Sequence, residues 1–150
     1  MFFSLTTGPQ KTTTASFEDI QDLLSQPQEK TQGPKTANKT LINILPSAEQ
    51  DCLIKGTLSI GVEEHTINDW VKSGKAVDHC IILYGKNTDD AARLEKKRRD
   101  LRALGFHDVF VYPGGLFEWL LLQDIYGKEL FPTTSHVLDI LAFRPSRRET

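Results

Sequence analysis

Residues 81–92 read Ile-Ile-Leu-Tyr-Gly-Lys-Asn-Thr-Asp-Asp-Ala-Ala, a strand-to-helix pattern from which the fold class is inferred. It begins as a short apolar run, which is typical of a buried strand. Gly85 then breaks the run into a polar loop, and a helical pattern follows over residues 91–104. In a strand–loop–helix unit, backbone N–H groups converge at the loop and the helix dipole favours negative charge there. The stretch therefore predicts a place where an anion or a nucleophile can sit.

Strands and helices alternate along the rest of the chain. Apolar runs predict strands at residues 41–45, 80–84 and 108–112 and a brief strand at 57–60, and helical periodicity predicts helices at 17–24, 62–73, 91–104 and 116–126. This alternation predicts a single three-layer α/β domain with a mostly parallel sheet flanked by helices. Ligands of such sheets bind beyond the carboxyl ends of the strands. We therefore expect the site at loops 85–90 and 113–115.

The composition excludes several classes of function. The chain has 150 residues, enough for one domain of ordinary size. Its net charge of −2 predicts no nucleic-acid partner, and no apolar run approaches the ~20 residues that span a bilayer, so no membrane partner is expected. Cys52 and Cys80 form no C-x-x-C pair, which predicts a reducing, cytoplasmic setting. The four histidines are scattered and are expected at the surface, so neither a metal site nor a cofactor is predicted.

The two ends of the chain are expected to lie outside the folded body. Residues 1–37 predict a flexible N-terminal region, whose short amphipathic helix at about 17–24 covers one edge of the core before a Pro- and Gly-containing linker. Residues 38–132 form the predicted domain. Residues 133–150 are predicted to be a C-terminal tail, with an apolar patch at 137–143 and an accessible basic end at Arg144, Arg147 and Arg148.

Several separated motifs resemble a rhodanese-like domain. Residues 104–112 (Leu-Gly-Phe-His-Asp-Val-Phe-Val-Tyr) followed by 114–119 (Gly-Gly-Leu-Phe-Glu-Trp) are similar to the C-terminal half of that family. Residues 41–46 and Glu49 resemble its first core strand and the acidic residue after it, and residues 54–57 resemble its I-x-G-A segment. The resemblance covers roughly residues 38–132 and implies the rhodanese-like fold.

The resemblance also implies that the catalytic residue is missing. An active rhodanese-like domain carries a cysteine at the end of the central strand, and a loop of backbone N–H groups, often with an arginine, cradles its persulfide. Here Gly85 matches the cysteine, and Asp90 stands where a basic residue is frequent. Glycine cannot accept sulfur, and carboxylates repel thiosulfate or a persulfide anion. The implied degenerate active-site loop comprises Gly85, Lys86, Asn87, Thr88, Asp89 and Asp90, and the predicted pocket rim comprises Gly114, Gly115, Phe117 and Trp119.

Three functional hypotheses follow, and the first is the one we expect. In the first, the chain is a catalytically inactive binding or regulatory module with a protein or peptide partner at this pocket. In the second, it is a thiol-dependent sulfurtransferase or phosphatase that uses Cys80 or Cys52, although both cysteines are interpreted as packed core residues. In the third, helix 17–24 and the patch at 137–143 bind a partner, and the pocket has no role.

Overall fold

The computed structural model describes residues 13–25 and 38–147. Within these residues the chain forms four helices and three strands, in the order α1 (Phe17–Ser25), β1 (Asn38–Asn43), α2 (Ile60–Lys72), β2 (His79–Tyr84), α3 (Ala91–Ala103), β3 (Asp108–Tyr112) and α4 (Gly115–Tyr126). Short 3-10 helices lie at Ser47–Glu49, Ala76–Asp78, Thr88–Asp90 and Ile140–Phe143. The predicted alternation of strands and helices, and with it the α/β class, is confirmed.

The three strands form a parallel sheet in the order β1-β2-β3. All six residues of β2 are buried, because this strand has a neighbour on each side and helices above and below. The register pairs Asn43 with Tyr84 and Tyr84 with Tyr112, so the three carboxyl ends lie side by side. The loops that follow β2 and β3 therefore begin at one edge of the sheet.

Alternate residues of β2 face two separate apolar layers. Ile82 and Tyr84 belong to a cluster that includes Ile20 of α1 and Trp119 of α4. Ile81 and Leu83 belong to a second cluster on the opposite face, built with side chains of α2 and α3 (Ile67, Leu94 and Leu101). The sheet is thus enclosed between two pairs of helices, as a three-layer domain requires.

Both outer strands gain short partners, one unpredicted and one shorter than predicted. Thr14 forms a parallel bridge with Val111 of β3, and the Ala15 N–H donates to the Val111 carbonyl at 2.8 Å. Residues 13–15 therefore continue the sheet rather than belonging to a flexible end. On the other side, Thr57 makes only an isolated bridge with Leu41. The predicted strand at 57–60 is wrong, because Ser59 caps α2 by accepting from the Gly61 N–H.

The C-terminal residues pack onto the body of the domain. Thr133 forms an antiparallel bridge with Ile54, and the Thr134 N–H donates to the Leu53 carbonyl at 2.8 Å. The structure therefore has no break at residue 132, where the sequence placed the start of the tail. The predicted linker falls largely on residues 26–37, which lie outside the described residues, as do residues 1–12 and 148–150.

One buried histidine corrects the prediction that all four lie at the surface. His79 is 4% exposed, and its ring stacks on Trp70 with 3.9 Å between centroids. Its Nδ1 lies 2.9 Å from the Lys75 carbonyl oxygen, so the buried polar atom has a partner. Across residues 13–25 and 38–147, no helix is long and apolar enough to cross a membrane.

Candidate functional site

The loop after β2 is fixed directly to the N-terminus of α4. The Leu116 N–H donates to the Gly85 carbonyl and the Phe117 N–H donates to the Lys86 carbonyl, both at 2.9 Å. Gly115 makes this approach possible, because its φ is +64° and a Cβ there would lie 2.6 Å from the Gly85 oxygen. The structure therefore brings together the two loops that the sequence placed at the carboxyl ends of the strands.

Inside residues 85–90, hereafter the degenerate loop, backbone N–H groups bind the chain's own acceptors. The Lys86 N–H donates to Asp90 Oδ2 at 2.7 Å, and the Asp89 N–H donates to Asn87 Oδ1 at 2.8 Å. The Asp90 N–H donates to the Asn87 carbonyl at 3.2 Å. Asn87 is 5% exposed and the Asp90 side chain 17%. The Asp90 carboxylate thus already accepts from one N–H group of the loop, that of Lys86, and Asn87 accepts from two others.

The Asp90 side chain also occupies the space beside Gly85 into which a side chain would project. A Cβ added to Gly85 would lie 2.7 Å from Asp90 Cβ and 2.9 Å from Asp90 Cγ, closer than real carbon contacts allow. The φ of Gly85 is not positive, so the backbone itself would accept another residue. The glycine at this position is therefore required by the neighbouring aspartate and not by backbone conformation.

Charged side chains link the degenerate loop to the end of β1. Lys86 Nζ lies 2.9 Å from Glu49 Oε1, in an ion pair whose partners are 31% and 42% exposed. Arg93 donates to the Ile44 carbonyl at 2.8 Å and lies 3.8 Å from Asp90 Oδ1. Glu49, which the sequence placed after the first core strand, is therefore part of the same surface as the loop. Ion pairs this exposed contribute about 0–1 kcal/mol each, so they orient the loop more than they stabilise it.

The predicted pocket rim is only partly at the surface. Phe117 is half-buried, and Gly114 lies beside the Glu118 side chain, which a Cβ at position 114 would contact. Trp119, by contrast, is fully buried, and its Nε1 donates to the Pro132 carbonyl at 3.1 Å. Its placement on the rim is wrong, because α4 turns this side chain toward the core, where its ring meets Phe131 edge-on.

Neither cysteine is placed as a reactive thiol. Cys80 is 8% exposed at the start of β2, at the other end of the strand from the degenerate loop. Burial raises the pKa of its thiol, and the Asp108 carboxylate raises it further. Cys52 is 6% exposed and its Sγ lies 3.6 Å from the Ser135 carbonyl oxygen. A nucleophilic thiol requires a basic, partly exposed setting. Cys52 is packed in the core, and at Cys80 burial and Asp108 outweigh the opposite effect of Lys39 on the pKa of the thiol.

A cavity of about 240 Å³ lies next to Cys80, on the face of the sheet that carries α1. Its lining combines apolar and charged side chains: Thr14, Ala15, Asp19, Lys39, Cys80, Ile82 and Phe110. In the described part of the chain, no group of three or more His, Cys, Asp or Glu side chains is placed to hold a metal ion.

The residues that sequence reasoning missed belong to the C-terminal segment, defined here as residues 140–147. Phe143 and Ser146 hydrogen-bond to Asn87 and Asp89 of the degenerate loop. The sequence marked the apolar patch at 137–143 and an accessible basic end, but gave no sign that either part contacts the loop. The available signal was the apolar spacing of Val137, Ile140 and Phe143, which pack on the core cluster beside α4.

Comparisons with known proteins agree with this architecture. The Alr3790 protein from Anabaena sp. superposes with a TM-score of 0.51 and 19% identity, over 85% of this chain and 96% of that one. Two further structures of domains from the same protein each give a TM-score of 0.44 over 64% of this chain. The Rhodanese_3 like domain is 22% identical and is covered over 98% of its length. The rhodanese-like domain is 23% identical and is covered over 80% of its length.

At 19% identity, the similarity to the Alr3790 protein shows a shared fold and no more. No curated protein matches the chain. The family model described as "Rhodanese-like domain" matches residues 16–122, which includes α1 and ends within α4. The matched region covers well over half of the sequence and contains both the parallel sheet and the degenerate loop. This chain belongs to the rhodanese-like domain family.

Proposed function

We propose that this chain is a catalytically inactive rhodanese-like domain that works as a binding or regulatory module for a protein or peptide partner. The observation that carries the proposal is the bond from the Lys86 N–H to the Asp90 carboxylate beside Gly85. In an active member, the N–H groups of the corresponding loop would hold the anionic sulfur of a cysteine persulfide. Here a carboxylate of the chain itself takes the place of the anion, and no sulfur carrier is attached to the strand end.

Electrostatics also oppose an external anionic substrate. Asp89 and Asp90 lie in the degenerate loop and Glu49 lies beside it, three carboxylates against two cations, Lys86 of the loop and Arg93 beside Asp90. Two unit charges of the same sign 4 Å apart repel by about 4 kcal/mol at the effective dielectric of a protein surface. Thiosulfate entering this surface would meet that repulsion with the Lys86 N–H already bonded. The loop is better suited to neutral or cationic groups than to anions.

The thiol-enzyme hypothesis finds no support in the surroundings of either cysteine. Cys80 lies at the far end of β2 from the loop, and Cys52 is packed in the core cluster. Both are free thiols. Unpaired cysteines fit the reducing compartment expected from the sequence, and the cytoplasm is the compartment that we propose.

The deciding experiment is a sulfurtransferase assay that measures thiocyanate formed from thiosulfate and cyanide. We expect the purified chain to form no more thiocyanate than its Cys52→Ser/Cys80→Ser variant. A variant carrying Gly85→Cys and Asp90→Gly provides the reference for a thiol at the strand end, because it adds the thiol and removes the side chain that fills its space. Thiocyanate formation that Cys80→Ser or Cys52→Ser abolishes would overturn the proposal and favour the thiol enzyme.

A further inference from the structure

The C-terminal segment lies on the degenerate loop as a bound peptide would. Asn87 Nδ2 donates to the Phe143 carbonyl at 2.9 Å, and the Ser146 N–H donates to Asp89 Oδ2 at 2.7 Å. Between these contacts, Lys86 Nζ lies 5.6 Å from the centroid of the Phe143 ring, within the range of a cation–π interaction. Three different side chains of the loop, the cation of Lys86, the amide of Asn87 and the carboxylate of Asp89, thus each contact the same segment.

Phe143 ends the last 3-10 helix, and the backbone becomes extended at the next residue. Arg144 has φ −65° and ψ 154°, which are polyproline-like angles, and Pro145 follows it. Recognition uses one backbone carbonyl, one aromatic ring and one backbone N–H three residues later. None of these groups depends on the covalent connection to the rest of the chain. A segment of another protein with the same features presents the same contacts.

A hydrogen bond within the loop orients the amide that binds the segment. The side-chain oxygen of Asn87 accepts from the Asp89 N–H, so that its Nδ2 is directed to the segment. With the segment in place, Asn87 is almost fully buried. The net charges of the two parts are opposite in sign, since residues 140–147 contain Arg144 and Arg147 and no acidic side chain, whereas the loop carries two carboxylates and one lysine. The Arg144 guanidinium itself donates to the Leu141 carbonyl.

We infer that the degenerate loop is a recognition site for an extended, basic, proline-containing peptide with an aromatic residue, and that residues 143–146 occupy this site in cis. The inference rests on the proposed function, because it names the ligand class of the same loop. A short tether gives the cis segment an effective concentration on the order of millimolar. A partner peptide must therefore displace residues 143–146 before it can bind the loop.

The test compares two variants of the whole chain, one without and one with the N–H group of residue 146. Ser146→Pro removes the donor to Asp89, whereas Ser146→Ala keeps it and serves as the matched control. The probe is a fluorescein-labelled peptide with the sequence of residues 142–147, Ala-Phe-Arg-Pro-Ser-Arg, and its binding is followed by fluorescence anisotropy. A hydrogen bond to a charged group corresponds to about a tenfold to hundredfold change in an equilibrium constant. We expect Ser146→Pro to bind the peptide about tenfold or more tightly than Ser146→Ala.

Two further variants locate the binding. Asp89→Ala in the Ser146→Pro background removes the acceptor at an exposed position, and should reverse most of the gain. Asp89→Ala alone should speed amide hydrogen exchange over residues 140–147, which tests the cis contact without any peptide. Equal affinity of the two Ser146 variants, a gain that persists without Asp89, or unchanged exchange would overturn the inference. These results are independent of thiocyanate formation, so failure of the peptide site and failure of the proposed function are told apart.

Discussion

Gly85→Ala should destabilise the fold because of one side chain, Asp90. The added Cβ would lie 2.7 Å from Asp90 Cβ and 2.9 Å from Asp90 Cγ. Inserting a methyl group into a packed site costs about 1–3 kcal/mol, and replacing glycine where the backbone tolerates alanine returns about 0.4–1 kcal/mol. We therefore expect the free energy of unfolding to fall by about 1–2 kcal/mol. Urea denaturation followed by tryptophan fluorescence measures it, since Trp119 lies in the core.

The specific cause is tested by removing the neighbour. Asp90→Gly eliminates all the atoms in the clash, at the cost of the bond from the Lys86 N–H, about 1.5–3 kcal/mol for a charged acceptor. In the double variant, the methyl group introduced at position 85 no longer meets a side chain. The loss in free energy of unfolding should therefore be about 1–2 kcal/mol smaller than the sum of the losses in the two single variants. Asp90→Ala is the matched control, because it keeps the Cβ that lies closest among the carbon atoms.

One result would refute this reasoning: a coupling energy between Gly85→Ala and Asp90→Gly within about 0.5 kcal/mol of zero, which is the range expected for independent sites. It would mean that the aspartate does not exclude a side chain at position 85, and the absence of a cysteine there would need a different physical reason. A rescue by Asp90→Ala as large as that by Asp90→Gly would instead assign the clash to the Asp90 carboxylate rather than to its Cβ.

Three further outcomes follow from the same structure. Gly115→Ala should lower the free energy of unfolding, measured in urea, by more than about 2 kcal/mol, because the new Cβ contacts the Gly85 oxygen and alanine disfavours left-handed backbone by about 1–2 kcal/mol. Gly74→Ala is the control: Gly74 has φ +72° but open space around it, so this variant should lose only the backbone term. Tyr84→Phe should cost about 1–3 kcal/mol at pH 7, because the hydroxyl bonds the Ile54 N–H at 3.1 Å and Thr57 Oγ1 at 2.7 Å. Burial raises the pKa of Tyr84, so this tyrosine ionises in the unfolded state at a lower pH than in the folded state, and the free energy of unfolding of the wild type falls above about pH 10. Denaturation measured across pH should show a smaller fall for Tyr84→Phe. Iodoacetamide should label Cys80 more slowly in the folded chain than in urea at about pH 8.5, because burial raises the pKa of this thiol. Mass spectrometry measures the labelling, and equal rates in the two states would contradict the prediction.

The sequence predicts the frame of the domain well because its signals there are local. Residues 81–84 are continuously apolar, as a central parallel strand must be, and Gly85 marks where the strand ends. The alternation of strands and helices then places loops 85–90 and 113–115 at one edge of the sheet, and the bond from Leu116 to Gly85 joins them. The motifs resembling the rhodanese-like family added the identity of the fold.

What the sequence missed depends on contacts between distant residues. Residues 13–15 are too short and polar to give a strand pattern, and they pair only because β3 offers a free edge. The direction of the Asp90 side chain cannot be read from its position, since the same residue could as well face solvent. His79 looked like a surface residue because no local pattern reveals its stacking on Trp70. Trp119 similarly follows the Gly-Gly turn, but helix rotation carries it into the core.

The pairing of Thr14 with Val111 has a consequence for how the chain folds during synthesis. Most of the sheet and three helices lie between these residues in the sequence, and the bond between them closes a very long loop. Residues 13–15 are synthesised before β3 and have no strand to pair with until β3 has been made. The edge of the sheet is therefore completed late, by a segment that was made early. Ala15 and Ile20 share a core cluster with residues of α4, so their burial also waits for that later helix.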